Sequence, residues 1–272
     1  MRKHHAILGT ALLQEGYPLY FDAMNEKGLA MAGLLFAGNG VYHKSVSGKD
    51  NIPSWAFIPW VLGQCETVEE AEILLENLNL TDLPFSETLP PSPLHWMIAD
   101  RSRSIVVESM ADGLHVYADP IGVLTNDPPF PFHLQNLDQY LNLTAEEPWN
   151  RFSDSVELQP FSRGMGAIGL PGDWSSPSRF VRAAFVRANA VSGEGVSQFF
   201  HILSSVEQPK GCIRLSDGGL EHTLYSICYD LSAGVCWRKE YAADDLWKKA
   251  DFSGISVEKP VDNSGIDCVK VI

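Results

Sequence analysis

Apolar positions in this chain fall into short blocks that change period several times. Residues 5–13 form one apolar block and read as a buried strand. Residues 17–24 and 29–36 read as two more strands, joined by a turn at Asn25-Glu26-Lys27-Gly28. Gly38-Asn39-Gly40 then breaks the pattern. Residues 52–64 are apolar and aromatic and read as a helix entered at Pro53. Thr67 and Glu70 have the spacing of a capping box, and Glu69 adds negative charge where the helix dipole favours it. Behind that start, Val68, Ala71, Leu74, Leu75 and Leu78 share one helical face.

Pro84 and Pro90-Pro91 mark a loop, after which the period returns to two. Residues 94–99, 104–109, 114–117 and 122–125 read as short strands, with turns at 100–103 and 111–113. Residues 133–141 read as a helix, and 149–173 as an irregular stretch rich in Gly and Pro. Ser176-Pro177 is a helix start, a cap followed by proline at the first helical position, for a helix running to Ala190. A second helix over 195–206 directs Val196, Phe199, Phe200 and Leu203 inward, and 223–229 with 235–241 form a hairpin around Ser232-Ala233-Gly234. Strands and helices come in separate runs, so the class is α+β, with residues 1–272 as a single domain.

Composition narrows the function. With 45% hydrophobic and 20% charged residues, 272 residues suit a globular protein with a substantial core. No apolar run approaches the roughly 18 residues of a membrane helix. Residues 6–13 behind Arg2 and Lys3 imitate a secretory signal, but Gln14-Glu15-Gly16 stands where a small-x-small cleavage site belongs, so a buried strand is preferred. A net charge of −14 without a basic block argues against a nucleic-acid partner. Cys65, Cys212, Cys228, Cys236 and Cys268 are odd in number, scattered and lack a C-x-x-C pair. Idle thiols in a reducing cytoplasm are therefore expected rather than a disulfide framework or zinc site.

Gly164-Met165-Gly166-Ala167-Ile168-Gly169 matches G-x-G-x-x-G, but Leu170-Pro171-Gly172-Asp173 follows where a phosphate-binding helix would be needed, so it reads as a glycine-rich loop. No G-x-S-x-G, S-x-x-K, H-E-x-x-H or Walker pattern is present, and no cofactor or metal is expected. His95, beside Trp96 in an apolar strand, reads as a core residue. Asn126 has two readings: a turn former in Asn126-Asp127-Pro128, or a side-chain amide at a strand end that donates to a developing oxyanion. Arg179 near a helix start gains nothing from the dipole, so it serves either a surface ion pair or a site.

Five segments occur in order: 16–22 (GYPLYFD), 25–34 (NEKGLAMAGL), 93–100 (PLHWMIAD), 122–126 (GVLTN), and 170–173 (LPGD) with Ser178-Arg179-Phe180 behind it. Together they resemble the choloylglycine hydrolase family, the bile salt hydrolases, penicillin V acylases and related linear-amide hydrolases. The resemblance implies the four-layer αββα sandwich of N-terminal-nucleophile hydrolases. It also implies a cysteine whose thiol attacks an amide carbonyl while its own α-amino group serves as base. Asn126 and Arg179 match family site positions, with oxyanion and site-ordering roles. Leu35 stands where many members have an asparagine that helps form the oxyanion hole, and leucine cannot donate; Asn39 lies nearby. The chain opens Met1-Arg2-Lys3-His4-His5 and its first cysteine is Cys65, so the nucleophile and its early Arg and Asp are missing. The expectation is a domain incomplete at its N-terminus and inactive as given. The partner implied is a small-molecule amide, a conjugated bile salt or, as the alternative, penicillin V. A non-catalytic small-molecule-binding protein is the rival, and a homo-oligomer is left open. Loss of opening strands is expected to uncover Ile7, Leu12 and Leu34 and to favour aggregation.

Overall fold

The computed structural model describes residues 4–193, 195–241, 248–252 and 266–271, the last of these through their backbone. Met1, Arg2 and Lys3 lie outside the described residues, as does the side chain of Cys268. The chain opens with three strands, β1 (Ile7–Gln14), β2 (Tyr17–Asn25) and β3 (Ala30–Leu35). There follow β4 (Asp50–Pro53), a 3-10 turn over Ser54–Ala56, α1 (Phe57–Leu62), α2 (Val68–Leu75) and β5 (Leu78–Thr81). Next come β6 (Leu94–Ala99), β7 (Ser104–Met110) and β8 (Gly113–Asp119), then α3 (Phe130–Asn136) with a 3-10 extension over Leu137–Tyr140. A 3-10 turn (Met165–Ala167) precedes α4 (Ser176–Asn189) and α5 (Gly195–Ser204), and a two-residue pair β9 (Ile213–Arg214) with β10 (Leu220–Glu221) follows. The described strands end with β11 (Tyr225–Asp230), β12 (Val235–Glu240), β13 (Lys248–Asp251) and β14 (Ile266–Val271).

Seven strands form one sheet in the order β14-β1-β2-β3-β6-β7-β8, and β11-β12-β13 form a second. Every pairing in both sheets is antiparallel. Side chains alternate across each strand, so the large sheet has two faces with different covers. On one face lie α1, α2 and β5, which bury Phe57, Val61, Leu62, Val68, Ala71 and Leu80 against Ala23, Met31, Trp96, Ile98, Ile105 and Val107. The other face has two separate covers. Val106 packs against Val123, Phe130 and Phe180 from α3, α4 and the preceding segment. At the opposite end, Leu8 and Met24 pack against Cys236 and the small sheet, with Ile227 and Tyr229 alongside.

Several expectations are corrected here. Residues 52–64 do not form one helix: Asp50–Pro53 pairs in parallel with Leu78–Thr81, so Leu78 belongs to a strand and not to the capped helix. That strand needs a partner brought by tertiary folding, which local periodicity does not report. The strand expected over 122–125 does not form; those residues pair with no neighbour in a sheet, and Gly122 takes a left-handed φ of 66°. In α5 the inward residue is Phe200, while Phe199 is 40% exposed. Nor is β1 an open edge, because β14 pairs with it from Ile7↔Val271 to Leu12↔Ile266, and Ile7 is 3% exposed. Leu12 and Leu34 are half-buried.

Candidate active site

The segment carrying Asn126 crosses the sheet between β8 and α3, held by side chains in place of strand partners. Asn126 N donates to Ser176 Oγ at 2.8 Å, and Ser176 Oγ is also 2.9 Å from Thr125 Oγ1. This corrects the reading of Ser176 as a helix cap: the cap position of α4 is Ser175, and the Ser176 hydroxyl serves the Asn126 segment instead. On the other side, His95 Nε2 lies 2.8 Å from the Thr125 carbonyl and His133 Nε2 lies 2.9 Å from the Asn126 carbonyl. His95 is fully buried, with Nδ1 3.0 Å from Glu108 Oε1, which also accepts from Phe130 N at 3.0 Å. It is thus the satisfied core residue its strand position suggested.

The two residues singled out in the sequence meet. Arg179 Nη2 donates to Asn126 Oδ1 at 2.7 Å, and Asn126 Nδ2 donates to the Leu35 carbonyl at 2.7 Å. These partners fix the amide's orientation, since a guanidinium only donates and a carbonyl only accepts. One of the two Nδ2 hydrogens has no acceptor among the described residues. Arg179 is half-buried, and its Nε donates to the Trp174 carbonyl at 3.0 Å. Burial lowers its pKa, Glu221 opposes that and Arg182 adds to it, but an arginine stays cationic.

The loop before α4 is clamped. Asp173 accepts from Ser175 N at 2.9 Å and Ser178 Oγ at 2.6 Å, and these bonds hold its carboxyl down at about 2. Arg182, 8% exposed, donates to the carbonyls of Pro171, Asp173 and Ser205. The glycine-rich stretch upstream is structural: a Cβ on Gly166 would lie 2.3 Å from the Glu146 carbonyl, and a 3-10 turn follows Gly164 where a phosphate site would need a full helix.

Leu35 enters the site through its backbone. Its carbonyl orients Asn126 while its side chain is 52% exposed at the end of β3. Asn39 donates to Asp127 Oδ1 at 2.7 Å, as Gly38 N does at 3.1 Å, which ties the turn after Asn126 to the loop after β3. Register places Ala32, Leu34 and Met97 on the same sheet face as Asp22, His95 and Val106. All three are half-buried and lie between the covers supplied by the small sheet and by α3 and α4. They form an apolar floor leading to the Asn126–Arg179 pair. Among the described thiols, Cys65 and Cys228 are buried and pushed up to about 11, chiefly by burial, and Cys236 is buried. Cys212 is exposed. Ser176, Glu108 and His133 carried no separate functional signal in the sequence; Ser176 meets Asn126 across 50 positions and Glu108 meets Phe130 across 22, while His133 lies only seven positions from Asn126 in no recognisable motif.

A model of the linear amide C–N hydrolases, choloylglycine hydrolase family, matches residues 1–249. The bile salt hydrolase/transferase of Lactiplantibacillus plantarum is 52% identical over 242 residues, covering 88% of this chain and 75% of that one. The bile salt hydrolase/transferase of Clostridium perfringens is 40% identical over 249 residues, covering 89% and 75%. A crystal structure of a mutant of the conjugated bile acid hydrolase from Clostridium perfringens superposes with a TM-score of 0.87 at 36% identity, over 98% of this chain and 82% of that one. A penicillin V acylase from Agrobacterium tumefaciens shares the fold with a TM-score of 0.67 at 19% identity, over 92% and 78%.

Proposed function

The chain belongs to the linear amide C–N hydrolases of the choloylglycine hydrolase family, and on that premise we propose that it carries the substrate-holding part of a conjugated bile salt hydrolase site. The observation that carries the proposal is the direct Asn126–Arg179 pair, with Asn126 tied to the Leu35 carbonyl at the end of an apolar floor. The free Nδ2 hydrogen of Asn126 would donate to the carbonyl oxygen as negative charge develops on it, and Arg179 would hold the amide in that orientation. The apolar floor of Ala32, Leu34 and Met97 suits a rigid hydrocarbon body, which favours a bile salt over penicillin V. The helices and sheets are read as one domain and as part of a four-layer αββα sandwich, acting in the cytoplasm.

In the resembling mechanism a cysteine with a free α-amino group attacks the amide carbonyl, and glycine or taurine leaves as the amine. None of the five cysteines in this sequence is a substitute, since none stands at an amino terminus and burial pushes the Cys65 and Cys228 thiols up. A polypeptide of these 272 residues alone is therefore expected to release no amine. The test incubates it, and the same polypeptide extended by a family-like opening segment that begins with cysteine, with glycine- and taurine-conjugated bile salts and with penicillin V. Release of glycine or taurine by the extended form alone is the expected result. Equal turnover by the short form overturns the inactivity. A folded extended form that cleaves no bile salt overturns the bile salt reading.

A further inference from the structure

Asn126 is held more completely than a turn residue needs. Its N–H, its C=O, its Oδ1 and one Nδ2 hydrogen each have a partner. One histidine takes the peptide carbonyl before Asn126 and a second takes the carbonyl after it. A carbonyl only accepts, so each Nε2 carries a proton. For His95 the other ring nitrogen faces Glu108 Oε1. For His133, fully buried, Nδ1 has no hydrogen-bond partner among the described residues. The His133 ring stacks on Phe180, with centroids 4.7 Å apart and planes 19° from parallel, and meets Phe132 edge-on.

Burial is the largest influence on His133 and pushes its pKa below the ordinary imidazole value. The Asn126 carbonyl opposes that shift, His95 on β6 reinforces it, and Glu108 on β7 and the Pro128 carbonyl oppose it; α4 contributes only the Phe180 ring. The neutral ring protonated at Nε2 is the form that grips Asn126. Burial disfavours a second proton at Nδ1, and the Pro128 carbonyl offsets that only in part.

We propose that His133 and His95, the latter held by Glu108, are positioning residues that grip the peptides on either side of Asn126 and so aim its free Nδ2 hydrogen into the site. The purpose of the grip rests on the amidase reading above; the grip itself does not. Two variants separate a donor role from packing. His133→Gln keeps a donor at similar reach and loses the ring. His133→Phe keeps the ring against Phe180 and loses the donor.

The experiment labels the 272-residue protein with nitrogen-15 asparagine and identifies the Asn126 side-chain signal by its loss in Asn126→Asp. In wild type and His133→Gln the two Nδ2 hydrogens should be well separated in shift, one slow to exchange. In His133→Phe they should converge and exchange freely. Acidifying the wild type should move the Asn126 signal together with the His133 ring signals, and that step should vanish in His133→Gln; this arm needs no disruptive variant. In the cysteine-bearing extended form, His133→Phe should lower kcat on the order of tenfold with KM little changed, while His133→Gln stays close to wild type. An Asn126 amide indifferent to the His133 titration, or one disturbed by Gln but not by Phe, overturns the proposal. An anchored amide in a folded extended form that cleaves nothing supports the grip and overturns the amidase reading instead.

Discussion

Asn25 uses all four of its side-chain hydrogen-bonding positions. Its Nδ2 donates to the carbonyls of Leu62 and Cys65 at 2.8 and 2.7 Å, and its Oδ1 accepts from Lys27 N and Leu29 N at 3.1 and 3.0 Å. At 1% exposure no water can replace a lost partner. Asn25→Ala should cost about 2–4 kcal/mol, read as a lowered urea midpoint with an unchanged slope. An effect under about 0.5 kcal/mol would contradict that assignment. Half of this was legible in the sequence, which marked residues 25–28 as a turn. The other half, the grip on the end of α1, spans 37 and 40 positions and has no local signature. Asn126, Arg179 and Ser176 follow the same rule. The residue types announced a polar site or a helix start, but which hydroxyl caps a helix and which steadies a neighbouring segment depends on what folding brings alongside.

Elements defined by their own sequence appear where the pattern placed them. The strand at 94–99 matches residue for residue, and Thr67 caps α2 with its Oγ1 accepting from Glu70 N at 3.2 Å. The Glu70 carboxylate departs from the simple capping box by reaching back to Glu66 N at 2.7 Å, one residue beyond the cap. Elements defined by partners were missed: β4 and β5 exist as a pair, β14 pairs with β1, and residues 122–125 stay single because side chains already hold them. The β1–β2 pairing rests on a close approach at Gly9, where a Cβ would lie 2.3 Å from the Asp22 carbonyl and 2.5 Å from Ala23 Cβ. Neither neighbour is a flexible side-chain end, so β1 would have to move away from β2. Gly9→Ala is expected to destabilise by about 3 kcal/mol in urea unfolding. A stability equal to wild type would mean that the two strands are less closely paired than described.

Over the whole molecule, the large sheet meets the small one through Asp22, which accepts from the hydroxyls of Tyr225 and Tyr229. Burial raises the Asp22 pKa against those hydroxyls, Thr10 and Arg238, which all pull it down. A carboxyl with a raised folded value stabilises the protein below its unfolded pKa, and that contribution fades as pH climbs through the folded value. The stability of wild type relative to Asp22→Asn should thus fall as pH rises above about 4, measured by urea unfolding across a pH series. A difference that grows with pH would contradict the burial of this group. Class and family were legible from segment order, and so was the meeting of Asn126 with Arg179. The apolar floor was not, because it exists only where two separate covers leave Ala32, Leu34 and Met97 half-exposed. That floor and the polar pair at its end are the centre of the account, and titrating the labelled 272-residue protein with a glycine-conjugated bile salt tests them directly. Saturable shifts should centre on the Asn126 amide, Arg179, Leu34 and Met97. Saturable shifts centred instead on the cleft of about 820 Å³ lined by His43, Lys49, Asn79 and Leu114, or no saturable shift at all, would contradict it.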